Sequence, residues 1–208
     1  DTVNSRRVSF EPMSPPDGGP TRAAVVAAAS ALLESGGPDA VTLRAVGAAA
    51  GVSRSTPYRH FQDKADLLAA LALQTLNDLG AAISEASSRG GDGALPRACF
   101  AYVRYAVEHS HHYMLVFGDT PMAEPSAAIE EAADAGMGAL GVLVERAQAD
   151  GELGDGPPRE MATMLWALLH GLAQLQITGH LREPRTVQGD DGLRQLVTLA
   201  LTALRPTQ

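Results

Sequence analysis

Beyond Pro20 the apolar residues return every three or four positions, with no stretch of strand-like alternation. Val25, Ala28, Ala29, Leu32 and Leu33 make one such face, and Leu68, Leu71, Leu76, Leu79 and Ile83 a second. Met161, Leu165, Leu168, Leu169, Leu172 and Leu175 make a third, and Leu193, Leu196, Val197, Ala200, Leu201 and Leu204 a fourth. This period belongs to an α-helix with one side turned to a core. The chain therefore reads as all-α. Its 208 residues are 45% apolar but only 4% aromatic, so the core must be built mainly from Ala, Leu and Val, which suits helices.

Local signals divide the helices. Glu34-Ser35-Gly36-Gly37-Pro38 stops the first. Thr42 stands where an N-cap belongs, ahead of a short helix carrying Leu43, Val46 and Ala50 on one face. Gly51 breaks that helix, and Ser53 is the expected N-cap of a third, running to about Phe61. Asp63 caps a long fourth helix, with Asp66 three residues on as an acidic form of the capping box. Further helices are expected near 94–110, 111–118, 125–149, 158–180 and 190–204, with a turn-rich linker from Ala149 to Pro158. Residues 1–19, rich in Pro, Gly and Ser, read as a disordered arm in which Met13 is a possible start and Arg6 and Arg7 are spare cations. The expected division is this arm, a three-helix unit at 20–66, and a helical bundle at 67–208.

Several classes are disfavoured. The single Cys99 gives no disulfide framework within the chain and no four-cysteine metal site. The first twenty residues contain no continuous apolar segment of signal-peptide type. The richest apolar stretch, MLWALLHGLAQLQI, carries a His and two Gln and falls short of a membrane span. These features suit a cytoplasmic protein with no membrane partner. Charge is uneven. Residues 1–64 hold seven Arg/Lys against six Asp/Glu, a balance of +1, and residues 65–208 hold nine against eighteen, a balance of −9. A near-neutral head on an acidic body, with the head's cations clustered, fits a small nucleic-acid-binding unit.

The cluster lies in GVSRSTPYRHF, residues 51–61. A short helix, a glycine turn and a second short helix make a helix-turn-helix layout, in which the second helix enters the major groove with its first residues toward the base edges. Arg54, Ser55 and Thr56 are placed for that role, since Arg forks onto guanine and hydroxyls bond several base edges. Tyr58, His60 and Lys64 carry donors for phosphate oxygens. Thr42, Arg44 and Ser53 complete the candidate DNA-contacting set. Phe61 is expected in the core, and Pro57 falls near the first turn, where a missing N–H costs little.

The stretch VTLRAVGAAAGVSRSTPYRHFQDKADLLAAL resembles the DNA-binding domain of TetR-type transcriptional regulators. The resemblance rests on Thr42, Leu43, Val46, Ala50, Gly51, Val52, Ser53, Pro57, Tyr58, His60, Phe61, Lys64 and Leu67, over about 45 residues from Thr21 to Leu68. Gly47 departs from the family's usual Ala, which should loosen the second helix by up to ~1 kcal/mol. HHYMLVF (111–117) and WALLHGLAQL (166–175) are similar to the subgroup with a Trp-His-Gly signature, here Trp166, His170 and Gly171. The resemblance implies a homodimer through the last two helices, double-stranded DNA with a palindromic operator as partner, and a small-molecule effector whose binding releases a repressor. Tyr102, Tyr105, Met114, Phe117, Trp166, His170 and Gln174 are the candidate effector-binding residues. Dimerisation also follows from reading geometry, because two reading helices about 34–36 Å apart match a palindrome better than one short helix alone.

Two rival readings have sequence features behind them. His109, His111 and His112 suggest a metal, but adjacent histidines point to different helix faces, and no neighbouring Cys or carboxylate completes a site around His109 and His112. Gly136-Met137-Gly138-Ala139-Leu140-Gly141 matches a nucleotide-loop spacing, yet AIEEAADA before it is helical where a strand is required. Its small residues are expected to permit close helix packing. No cofactor, metal or catalytic constellation is expected, and the chain is read as a regulator, not an enzyme.

Overall fold

The computed structural model describes residues 18–89, 93–118, 126–181 and 189–205. Arg6, Arg7, Met13 and the expected arm up to residue 17 lie outside the described residues. The helices are α1 (Gly18–Ala40), α2 (Leu43–Ala49), α3 (Thr56–His60), α4 (Lys64–Ser88), α5 (Ala94–Glu108), α6 (Ser110–Phe117), α7 (Ala127–Ala149), α8 (Pro158–Ile177) and α9 (Gly189–Thr202). No strand occurs among the described residues.

The caps explain the boundaries. α1 is interrupted at Gly37, whose φ of 66° breaks the helical path before Pro38. Thr42 accepts the Ala45 N–H at 3.1 Å and starts α2. Asp63 accepts the Asp66 N–H at 2.9 Å and starts α4. The return bond of a capping box is shifted by one residue, because the Asp66 carboxylate accepts from the Gln62 N–H at 3.0 Å.

Two cores result. The first joins Val25, Ala29, Leu33, Val41, Val46 and Phe61 to Leu67, Leu68, Leu71 and Ala72 of α4, and also takes in Leu115 of α6. The second gathers Leu79 of α4 with buried residues of α5, α7, α8 and α9, and includes Tyr113 of α6. Side chains on both sides of the expected 66/67 division therefore share the first core. Helix α6 straddles the two: Tyr113 and Leu115 are both fully buried, one in each core. By length and mean hydropathy (1.3), α4 alone among the described helices could cross a bilayer. Here it packs against α1, α5, α6 and α7.

Candidate functional site

Helices α2 and α3 meet across the turn at Gly51, whose φ of 66° lies in the left-handed region open to glycine. The turn closes through Val52 N–H to the Gly47 carbonyl at 3.1 Å. Pro57 packs against the same glycine. A Cβ on Gly47 would approach Pro57 Cγ to 3.2 Å. The departure at position 47 is thus a close approach between α2 and α3, not merely a looser helix.

The third helix starts later than the sequence suggests. Its N-cap is Ser55, not Ser53, and the residues from Arg54 to Ser55 form the preceding turn. The reason is a local hydroxyl cluster. Ser53 Oγ lies 2.7 Å from Thr56 Oγ1 and 3.1 Å from Ser55 Oγ, so these side chains bond one another. Thr56 is buried at 8% exposure. It faces the interior of the head and leaves the outward set. Pro57, at the second helical position, lacks only an N–H that has no helical partner.

Thr42, Arg44, Ser53, Arg54, Ser55 and Tyr58 are exposed, and His60 and Lys64 half-buried. Arg59, absent from the candidate set, is exposed beside them. Among the described residues none of Arg44, Arg54, Arg59 or Lys64 is held in an ion pair. Thr42 uses its oxygen lone pair on Ala45, which leaves its hydroxyl proton available to an acceptor. Phe61 is buried and is covered by Arg22, whose guanidinium carbon sits 5.0 Å from the ring centroid.

The body forms a partly open cavity of about 310 Å³ between α4, α5, α6, α7 and α8. Tyr102, Phe117 and Trp166 of the candidate effector set line it; Tyr105, Met114, His170 and Gln174 do not. Its remaining wall is almost wholly apolar, with Asn77 the one amide and Cys99 the one thiol. A large part comes from α7, through Ala132, Ala135, Gly136 and Ala139. These residues reverse the expectation of close packing around Gly136, Gly138 and Gly141. A Cβ at any of the three would meet nothing within 4 Å, and the short side chains leave space. Burial pushes the Cys99 thiol up to about 12, so it behaves as a small apolar wall residue.

A polar seam borders the cavity. Tyr102 Oη and Tyr113 Oη are 2.8 Å apart, and Tyr113 Oη is 2.7 Å from His170 Nδ1. Burial raises both tyrosines above their ordinary range and holds His170 below its own, so the imidazole is the neutral form. With a neutral His170 accepting at Nδ1, the Tyr113 O–H donates to it and Tyr113 in turn accepts from the Tyr102 O–H. His170 also stacks on Trp166 and meets Phe117 edge-on, with centroids 5.6 Å and 5.3 Å away. His170 is thus a support behind the wall. Tyr113, quoted in HHYMLVF but not selected as a site residue, is the hub of the seam.

An exposed helix-turn-helix with unpaired cations, carried on a helical body with a partly open apolar cavity, defines a DNA-binding regulator. Residues 25–71 match the family model described as bacterial regulatory proteins, tetR family, and residues 95–200 that described as tetracyclin repressor-like, C-terminal domain. The chain belongs to the TetR family of transcription regulators. A protein of unknown function from Rhodococcus sp. RHA1 superposes with a TM-score of 0.78 at 28% identity, covering 93% of this chain and 100% of that one. A TetR family transcription regulator from Marinobacter aquaeolei VT8 gives 0.66 at 21% identity, over 90% and 96%. SmeT, solved as a complex with triclosan, gives 0.61 at 22% identity, over 90% and 92%. No curated protein matches the chain.

Proposed function

We propose that the protein is a dimeric repressor that leaves a palindromic operator when a small, largely apolar effector fills the α4–α8 cavity. One observation carries this reading: α6 touches both the cavity and the head. Phe117 lines the cavity, Tyr113 belongs to the core of the body, and Leu115 plugs the core of the head. An effector that displaces Phe117 must move a helix of eight residues whose other side is fixed in the head. Such coupling shifts DNA affinity only as far as the effector binds the two arrangements differently.

In the DNA-bound form Arg54 and Ser55 approach base edges, while Thr42, Arg44, Tyr58, Arg59, His60 and Lys64 approach the backbone. The cavity's volume lies at the small end of ligand sites, and its lining favours an apolar ligand with one or two polar atoms, set by Asn77 and the Tyr102 hydroxyl. SmeT's complex with triclosan is a precedent for a small molecule held by this fold. On α8, Met164, Leu168 and Leu175 stand 45–47% exposed, and Leu199 of α9 57%. That apolar face supports pairing of two copies through the last two helices.

Selection of bound sequences from a random duplex pool tests the first half of the reading. A palindromic motif is the expected result, and no enrichment at modest salt would defeat it. A screen of apolar compounds against the selected operator tests the second half. Wild-type protein should be released by a hit to which Ala139→Leu, which fills the cavity, does not respond. Release of both alike would place the effector elsewhere.

A further inference from the structure

The carboxylate that the sequence reading found lacking beside His109 and His112 comes from α1. Glu34 Oε2 lies 2.7 Å from His112 Nδ1 and 3.8 Å from His109 Nδ1, and ligand atoms of the three residues lie within 4.8 Å of one another. The two histidines are three apart at the junction of α5 and α6, where residues at that spacing are neighbours. His109 is the C-cap of α5.

We propose that Glu34, His109 and His112 bind one divalent transition-metal ion of the zinc class and tie α1 to α6. Two imidazoles and one carboxylate are a borderline donor set that such ions favour, with water in the fourth position. Tetrahedral ligation at ordinary bond lengths needs donor atoms ~3.3 Å apart, so the observed spacings require side-chain adjustments of about an ångström. The rings are already oriented. Ser30 Oγ sits 2.9 Å from His112 Nε2. It accepts the Nε2 proton when Nδ1 is a ligand, the outer contact typical of metal-bound histidine. Tyr105 packs against His109 with centroids 4.6 Å apart and the rings tilted by 50°. Glu34 and His109 are each 45% exposed and His112 12%, so the ion has a path from solvent and a place for water. Alongside, His111 Nδ1–H donates to the Glu34 carbonyl at 2.9 Å, pinning the same turn of α1 without entering the donor set.

Untagged full-length protein is titrated with Zn²⁺ by calorimetry and with Co²⁺ by visible absorption. One ion per chain is expected, with the strong ligand-field bands of four-coordinate cobalt. Affinity should fall at least tenfold in His112→Ala and Glu34→Gln and remain in His111→Asn. Circular dichroism checks that each variant is folded; His109→Asn, at a more exposed position, serves as the alternative should His112→Ala fail to fold. The proposal is overturned by wild-type protein that takes up no ion. It is equally overturned by folded variants of this triad that bind as wild type does.

Discussion

At the residue scale, Gly47 and Pro57 act as a pair. A Cβ at Gly47 would gain ~1 kcal/mol of helix propensity, but Pro57 Cγ at 3.2 Å must yield, and a proline ring has little freedom to do so. Gly47→Ala alone should therefore change stability by less than about 0.5 kcal/mol, whereas in a Pro57→Ala background it should stabilise by about 1 kcal/mol. Urea unfolding of the four-member cycle measures this, and additive effects would refute the contact. His170 gives a pH prediction. Desolvation lowers its folded value from 6.5, so the unfolded chain takes up that proton first as pH falls. Its contribution to stability is complete above the unfolded value and declines as pH drops toward the folded one. The difference between wild type and His170→Gln in unfolding free energy should shrink between about pH 7 and pH 5, and a constant difference would show that His170 is not held neutral. Local signals at this scale were readable from sequence where a side chain caps its own helix, as at Thr42 and Asp63. They misled at Ser53, because a hydroxyl that bonds Thr56 looks identical in sequence to one that caps a backbone.

At the scale of elements, α7 is the informative helix. Gly136, Gly138 and Gly141 occupy a 23-residue helix at positions where a Cβ meets nothing. Space does not require them, and each costs the helix up to ~1 kcal/mol relative to Ala. Gly138→Ala and Gly141→Ala should each stabilise the protein by about 0.5–1 kcal/mol in urea melts; a loss in either would reveal a contact that the free chain does not make. Helices α1, α4, α8 and α9 were legible in the apolar period, because each turns a stripe to a core, whereas α3 was placed by its glycine turn and cap signals. The cavity was legible only in part. Tyr102, Phe117 and Trp166 announce themselves by size, but Ala132, Ala135 and Ala139 form a wall by being small, and smallness carries no chemical signature in a sequence. Glu34 escaped for another reason: it reaches His112 from 78 residues away, and only the packing of α1 on α6 joins them.

At the scale of the whole molecule, the exposed leucines of α8 and α9 form the proposed pairing face. Leu168→Glu with Leu175→Glu places two charges on the proposed pairing face, at positions outside the buried set of either core. Light scattering should report a monomer for this variant, and operator binding should weaken by at least tenfold as the two heads lose their fixed spacing. A variant that remains dimeric would move the interface to another face.

Leu115 carries a last consequence, for protein engineering. The head appears in the sequence as a detachable module of three helices and the start of a fourth. Its core, however, is sealed by a side chain from the sixth. A chimaera that grafts residues 18–88 onto a foreign body inherits a head with a methyl-lined hole in its floor, unless the new body supplies a matching leucine at the same height. This head is to be moved together with the small helix that stands beneath it.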